Sequence, residues 1–433
     1  IEQLRRAQDR EKNVIKIISS EITYEKEIKP VKNTLLSKPT KNLNWTTSDF
    51  NLQNSVGNIY LPGINNIFLS KKIGKKVFMW SKLTSSPLIY DDYIITADDR
   101  GIIYKVDKKG KKIWKTNTYK NIYKKIYKDL TFSIYKNKIY IIDNIGFIYA
   151  INFETGNLIW IKNHGIPFKS QIKILDNMIF VINKQNRILC FETGKGSKLW
   201  DIRSVSSFIK SQTPQSLALS KDKSLIVLTS FGDLIKIEPS TGTIFWSLSV
   251  LRSSFAHSDD FFKSSSLVIK DEDIIFSTSS SLFSINLHQG FMNWKINTGL
   301  TNTPIIDGKN VFVITKNGYL INIDRKLGNI IWSTNILTSS STSFINFLKE
   351  GSTTLRANVT GSVMGSGKIY SLTSNGWLIV CSAVTGIVES SEKLANEFFI
   401  SPIISDGSLY LLSSKPKLFG LDLTKKRKLF TFR

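Results

Sequence analysis

The residues able to support nucleophilic or metal chemistry are few in this chain. It has two cysteines, Cys190 and Cys381, and three histidines, His164, His257 and His288. The cysteines are too far apart in sequence to form a local motif, and the histidines lack the spacing of metal ligands. No Ser/His/Asp arrangement or glycine-rich phosphate loop is present, and most acidic residues fall in turns, where they cap the backbone. We therefore expect no catalytic residue, no metal site and no cofactor, and each cysteine is predicted to be a small buried residue.

The net charge is strongly positive, with 59 Lys and Arg against 34 Asp and Glu, which gives +25. Such a charge is compatible with binding to nucleic acid or to an anionic surface. The lysines, however, are scattered through turns such as residues 108–112, and no Arg-rich stripe or nucleic-acid motif occurs. Nucleic acid is therefore not a predicted partner, whereas a role of the charge near anionic lipid is left open. No run of about 18 apolar residues is present, so no membrane-spanning helix is predicted.

A repeat of about 40 to 50 residues organises most of the chain and predicts its fold. Each copy contains four short strands separated by Gly- and Asn-containing turns, and the last strand carries a tryptophan. The tryptophans at this position are Trp114, Trp160, Trp200, Trp246, Trp294 and Trp332, and Trp80 precedes the first full copy in a similar context. Copies seven and eight lack the tryptophan. The sequence therefore predicts an all-β, eight-bladed β-propeller of four-stranded antiparallel blades.

The repeated tryptophans are interpreted as structural, because a large flat indole can cover the wedge between neighbouring blades while its N–H finds an acceptor. Trp45 and Trp377 lie outside the pattern and are freer to be functional. The ring is expected to close by pairing of N- and C-terminal strands. Either the strand around Trp80 pairs with the last copy, or residues 428–432 supply the fourth strand themselves.

Two regions are predicted along the chain. Residues 1–66 form an N-terminal tether, with a short helix followed by an extended linker rich in Asn, Ser, Thr and Lys. Residues 67–433 form the propeller. The sequence begins at Ile1 without an initiator Met, and an upstream signal peptide is expected.

The repeat resembles the tryptophan-docking pattern Ala-x-Asp-x-x-Thr-Gly-x-x-x-Trp of PQQ-type, quinoprotein-like propellers, most literally from Ala150 to Trp160. The resemblance extends from about Lys76 to Phe430. Within that superfamily, the single propeller with a short tether, and with one Trp strand before the first full repeat, resembles the BamB family of outer-membrane β-barrel assembly lipoproteins.

The resemblance to the BamB family implies a non-catalytic scaffold at the periplasmic face of the outer membrane of a Gram-negative bacterium, held by an N-terminal lipid anchor. The partner it implies is the barrel-inserting subunit, whose periplasmic domains would bind loops between blades. The matching loops here are residues 201–213, with Ile209 and Lys210, and residues 247–264, with Asp259 and Asp260. Lys210 replaces an Arg of the family pattern and lacks its two-pronged guanidinium. A third long connection, residues 333–361, is a candidate second contact site.

Two alternatives remain open at the level of the sequence. One is a PQQ-dependent quinoprotein dehydrogenase, and the other is a propeller-type sensor or ligand-binding protein. By resemblance, a dehydrogenase would use a Ca²⁺-bound quinone, an Asp base and an adjacent Cys-Cys pair. The distant positions of Cys190 and Cys381 do not fit that requirement.

Overall fold

The computed structural model describes residues 24–79, 81–82, 85–204, 215–250, 263–338 and 357–423. These residues form eight four-stranded antiparallel sheets arranged as an eight-bladed β-propeller, with one short 3-10 helix, Asn121–Tyr123. The predicted fold class is confirmed. Within the described ranges, none of the helical structure has the length and apolar character needed to cross a bilayer.

The four strands of each blade are given from the axis outward. Blade 1 comprises β2 (Leu88–Tyr90), β3 (Tyr93–Ala97), β4 (Ile103–Asp107) and β5 (Lys112–Thr116); blade 2, β6 (Leu130–Tyr135), β7 (Lys138–Asp143), β8 (Phe147–Asn152) and β9 (Leu158–Asn163). Blade 3 comprises β10 (Lys173–Leu175), β11 (Met178–Ile182), β12 (Arg187–Glu192) and β13 (Lys198–Arg203); blade 4, β14 (Ser216–Leu219), β15 (Leu225–Leu228), β16 (Asp233–Ile237) and β17 (Ile244–Ser249).

Blade 5 comprises β18 (Val268–Lys270), β19 (Asp273–Ser277), β20 (Leu282–Asn286) and β21 (Met292–Ile296); blade 6, β22 (Ile305–Asp307), β23 (Asn310–Ile314), β24 (Tyr319–Asp324) and β25 (Ile330–Asn335). Blade 7 comprises β26 (Val359–Gly365), β27 (Lys368–Thr373), β28 (Trp377–Ser382) and β29 (Val388–Lys393). Blade 8 comprises β30 (Ile403–Ser405), β31 (Ser408–Leu412), β32 (Lys417–Asp422) and, as its outer strand, β1 (Asn66–Lys72).

The first strand of each blade is the inner strand. Inner strands of neighbouring blades contact one another around the axis, and most of their residues are buried. The fourth strands form the outer rim and are largely exposed. Stacking buries both faces of each blade, which explains why the middle strands are nearly continuous runs of Ile, Leu, Val and Phe.

The repeated tryptophans connect each blade to the next. Five indole N–H groups donate to a backbone carbonyl of the following blade. The pairs are Trp114 with Phe153 at 3.1 Å, Trp160 with Thr193 at 3.0 Å, Trp200 with Pro239 at 2.9 Å, Trp246 with Leu287 at 3.3 Å and Trp294 with Arg325 at 2.8 Å. Each acceptor lies in the turn after the third strand of the following blade, where a glycine packs beneath the indole ring. Trp80 lies outside the described residues.

The ring closes through an N-terminal strand, as predicted, but not through the strand around Trp80. The outer strand of blade 8 is β1, which pairs antiparallel with β32, for example Ser70 with Phe419. The described residues 73–79 and 81–82 contain no strand. The alternative that used the strand around Trp80 was based on the position of that tryptophan, whereas β1 contains no tryptophan. Other apolar contacts hold β1 in place: Leu69 is buried, and Phe68 packs edge-on against Tyr410, with ring centroids 5.9 Å apart.

The segment before β1 passes through the centre of the ring. Residues 40–61, here called the axial segment, contact the inner strands in the order of the blades. Backbone hydrogen bonds join it to residues that belong to or directly follow the inner strands of blades 8, 1, 2, 4, 5, 6 and 7. In that order, the bonded pairs are Asn42 with Asp406, Trp45 with Ile89, Thr46 with Ile134, Leu52 with Leu219, Gln53 with Ile269, Val56 with Ile306 and Ile59 with Met364. In blade 3, the side chain of Lys173 donates a hydrogen bond to the Asn51 carbonyl of the axial segment. The axial segment thus makes one turn around the axis before the chain enters β1.

Candidate partner-binding face

The axial segment runs through the channel between the inner strands. Some of its bonds lie at the last residues of inner strands, such as Leu219, whereas Asp49 and Asn54 contact residues just before other inner strands begin. The end of the channel where the inner strands begin carries the connections from one blade to the next. We call this side the connection face. The connections that contain Ile209, Lys210, Asp259 and Asp260 join blade 3 to blade 4 and blade 4 to blade 5.

Those four predicted residues lie outside the described residues, as does most of the third long connection. The structure does bring together the described ends of the two connections. The backbone N–H of Leu267 donates to the Ser216 hydroxyl oxygen at 3.0 Å. The Asn54 amide of the axial segment donates to the carbonyls of Leu217 and Leu267, at 2.8 and 2.9 Å. Both connections therefore return to adjacent inner strands that the axial segment joins.

A cavity of about 270 Å³ lies at the axis on the connection face. The axial segment contributes Ser48 and Asp49 to its lining, together with residues that precede or begin several inner strands. These include Asp129 and Thr131 of blade 2, Lys169 and Gln171 of blade 3, Ser266 of blade 5, Thr360 of blade 7, and Phe399 and Ser401 of blade 8. The lining is thus a ring of hydroxyl, amide and charged groups with a few aromatic rings.

Asp49 and Gln171 together join three blades in the cavity wall. The Asp49 Oδ2 accepts hydrogen bonds from Gln171 Nε2 at 2.5 Å and from Ser266 Oγ at 3.1 Å. The Gln171 amide also donates to Ser266 Oγ at 3.0 Å, and its Oε1 accepts from the Leu217 N–H at 3.1 Å. Because blades 3, 4 and 5 meet in this network, the inner edges of the connections are rigidly spaced.

Lys173, in the inner strand of blade 3, is fully buried beside the axial segment. Its ammonium donates to the Asn51 carbonyl at 2.7 Å and to the side-chain oxygen of Asn54. Burial disfavours the charged form and lowers the pKa of Lys173 to about 8, although the nearby carboxylate of Asp49 favours it.

The nucleophilic side chains are placed for packing. Cys190 and Cys381 are free and buried in the third strands of blades 3 and 7, and burial raises the pKa of each thiol to about 12. Burial is also the main cause that lowers the pKa of His164. In the part of the chain that the structure describes, no three His, Cys, Asp or Glu side chains converge to hold a metal ion. These residues do not fit a Ca²⁺-bound quinone with an adjacent cysteine pair.

Sequence reasoning missed the contribution of the N-terminal segment to this face. Ser48, Asp49 and Asn54 fall in the part predicted to be a linker, yet they line or support the cavity. Trp45 offered a signal, because a large indole is rarely left exposed in a linker. It is buried against Phe50, with ring centroids 4.7 Å apart, and Trp377 is buried in blade 7.

Residues 99–334 match the family model described as outer membrane protein assembly factor BamB. BamB of Moranella endobia is 20% identical over 276 residues, which cover 60% of this chain and 66% of that protein, just under two thirds of its length.

Two solved structures share the fold. BamB from Moraxella catarrhalis has a TM-score of 0.60 at 13% identity, covering 82% of this chain and 100% of that one. A quinohemoprotein alcohol dehydrogenase from Comamonas testosteroni has a TM-score of 0.64 at 10% identity, covering 88% and 80%. At such identities the structures indicate the fold alone, and assembly factors and dehydrogenases share it. The family model, by contrast, matches more than half of the chain, which therefore belongs to the family of outer membrane protein assembly factor BamB.

Proposed function

We propose that this protein is a non-catalytic scaffold of the machinery that assembles β-barrel proteins in the outer membrane. The observation that carries the proposal is the family match over residues 99–334, which spans both connections expected to bind the partner. In this proposal, the barrel-inserting subunit docks its periplasmic domains on the connection face, through Ile209, Lys210, Asp259 and Asp260. The protein acts at the periplasmic face of the outer membrane, held by an N-terminal lipid anchor.

The arrangement of the connection face supports a scaffold role. Loops give specific binding when a rigid framework spaces them, because less conformational entropy is lost on association. Here the ends of the two connections are joined by the bond from Leu267 to Ser216 and by the amide of Asn54. The indoles of Trp200 and Trp246 join blades 3, 4 and 5, from which these connections emerge.

A non-catalytic role is supported by the chemistry of the buried groups. A thiol with a pKa of about 12 is almost entirely protonated at neutral pH, so Cys190 and Cys381 are poor nucleophiles. The axial segment also occupies part of the channel with the chain's own backbone.

The proposal is tested by co-purification. The tagged protein, expressed in its native host or in a complemented deletion strain, is recovered from detergent extracts of outer membranes, and the barrel-inserting subunit is sought by mass spectrometry. We expect Ile209→Ser with Lys210→Glu, or Asp259→Lys with Asp260→Lys, to reduce recovery at least about tenfold, as loss of interface anchors does. Phe291→Ser with Leu327→Ser, in turns on the opposite face, is the matched control. Failure to recover the subunit with the unaltered protein, while other lipoprotein complexes survive, contradicts the proposal.

The alternative of a quinoprotein dehydrogenase is favoured only by the shared fold. It predicts that pyrroloquinoline quinone with Ca²⁺ raises the melting temperature of the purified protein. We expect no change in melting temperature, and a saturable rise would support the alternative. The lipid anchor is tested separately, by mass spectrometry of the N-terminal peptide of the protein isolated from membranes.

A further inference from the structure

Two connections on the connection face form a surface patch around blade 1. Residues 73–87, of which the structure describes 73–79, 81–82 and 85–87, link the outer strand of blade 8 to blade 1, and residues 117–129 link blade 1 to blade 2. The predicted partner connections adjoin blade 4, on the other side of the axis. The patch is therefore separate from the proposed partner site.

Large apolar side chains project from this patch. Val77, Met79, Ile122 and Ile126 are 55%, 78%, 76% and 44% exposed. Single exposed apolar residues are ordinary on a protein surface, but four of them on two touching connections form a group.

Lysines are interspersed with these apolar residues along the two connections. They are Lys75, Lys76, Lys82, Lys120, Lys124 and Lys125; all are exposed except Lys76, which is half-buried. The connection from blade 8 to blade 1 contains no Asp or Glu, and the connection from blade 1 to blade 2 contains one, Asp129, which is half-buried and lines the axial cavity. Across the part of the chain that the structure describes, none of the six forms an ion pair with a carboxylate. The Lys82 ammonium lies over the ring of Phe399, 5.3 Å from its centroid, and the charges of the other five are available to an external anion.

Both connections are fixed to the propeller and to each other. The Tyr127 hydroxyl donates to the Lys82 carbonyl at 2.6 Å, and the rings of Phe78 and Tyr127 pack edge-on with centroids 6.2 Å apart. The buried Asp99 carboxylate accepts the backbone N–H groups of Val77 and Phe78, both at 2.8 Å. The apolar side chains are thus held outward instead of collapsing onto the surface.

We propose that this patch binds the surface of an anionic lipid bilayer. Lysine ammonium groups are attracted to anionic headgroups, and the apolar side chains between them enter the boundary between headgroups and acyl chains. An acidic protein surface would satisfy the lysines but would leave the protruding Met79 and Ile122 without an apolar environment. The patch would orient the propeller on a membrane independently of any lipid anchor.

The test is sedimentation of the purified chain with vesicles of phosphatidylcholine, with and without phosphatidylglycerol, at low and high salt. We expect binding only to the vesicles that contain phosphatidylglycerol, and weaker binding at high salt. Replacing Lys120, Lys124 and Lys125 by Gln should weaken binding on the order of a hundredfold, since each lysine near an anionic surface contributes about fivefold. Met79→Ser with Ile122→Ser should weaken it about tenfold, with little dependence on salt.

Two matched controls separate the patch from net charge and from general hydrophobicity. Lys109, Lys195 and Lys309 are exposed in turns of the opposite face, and their replacement by Gln removes the same charge. Phe291 and Leu327, 70% and 68% exposed, are replaced by Ser. Both controls should bind like the unaltered protein. Equal losses in patch and control variants would overturn the proposal, as would equal binding to uncharged vesicles, or binding to polyglutamate but not to vesicles. Circular dichroism verifies that each variant is folded.

Discussion

The indole N–H of Trp332 donates a hydrogen bond of 2.8 Å to the hydroxyl oxygen of Thr34, 298 positions earlier in the chain. The other five described tryptophans of the repeat donate instead to a carbonyl of the following blade. Asn322 also donates to the Thr34 hydroxyl, at 3.1 Å. The N-terminal segment thus completes the contact between blades 6 and 7.

Thr34→Val should therefore destabilise the whole propeller. The change keeps the shape of the side chain but leaves two buried donors without their acceptor, which costs about 1–3 kcal/mol. Urea unfolding followed by tryptophan fluorescence measures the loss. Thr241→Val, which removes an exposed hydroxyl in a turn of blade 4, should change the unfolding free energy by less than about 0.5 kcal/mol. Equal effects of the two variants would contradict a role for the Thr34 hydroxyl.

Any side chain at position 196 should destabilise the propeller, because Gly196 packs directly under Trp160. A Cβ at Gly196 would lie 2.5 Å from Cζ3 of the indole, and the residue has φ of +68°. Gly165 has nearly the same φ, +67°, but nothing lies within 4 Å of its hypothetical Cβ. Gly165→Ala should cost about 1–2 kcal/mol of backbone strain, and Gly196→Ala about 1–3 kcal/mol more. Thermal and urea unfolding of both variants check the difference, and equal costs would argue against tight docking.

The buried Lys173 should make stability depend on pH. Its pKa is about 8 in the folded protein and 10.5 when exposed, so between these values the unfolded chain binds more protons. The unfolding free energy should therefore rise with pH from about 8 toward 10.5, by up to roughly 3 kcal/mol relative to Lys173→Met. Urea unfolding of both proteins between about pH 7 and pH 9.5 measures the lower part of this rise. Parallel pH profiles of the two proteins would show that Lys173 does not titrate in this range.

The two cysteines should be unreactive until the protein unfolds. Both are buried, and a pKa of about 12 leaves very little thiolate at pH 8. We expect no rapid reaction with a thiol-specific disulfide reagent in the native state and two equivalents of reaction in denaturant. Rapid reaction of one thiol in the native protein would indicate an accessible, activated cysteine and would reopen the question of catalysis.

The sequence predicts the propeller well because each blade is specified locally. A repeat unit contains its own four strands, its turn residues and, in most copies, its docking tryptophan, all within about 50 residues. The seventh copy shows the strength of this pattern: Ser390 pairs with Val380 in the register that Trp160 and Ala150 occupy in blade 2. The closing strand could not be identified in the same way, because β1 lacks the tryptophan that marks most other outer strands.

By itself, then, the sequence determined the number of blades, the four antiparallel strands in each and the family resemblance. Only the tertiary structure showed that the axial segment circles the channel and lines its cavity, and that two connections form the lysine-rich patch of blade 1. These features depend on contacts such as that of Asn54 with Leu217, 163 positions apart. Such contacts have no periodic signal in the chain, because they form only after the blades have closed into a ring and the inner strands present their free hydrogen-bonding groups to the axis.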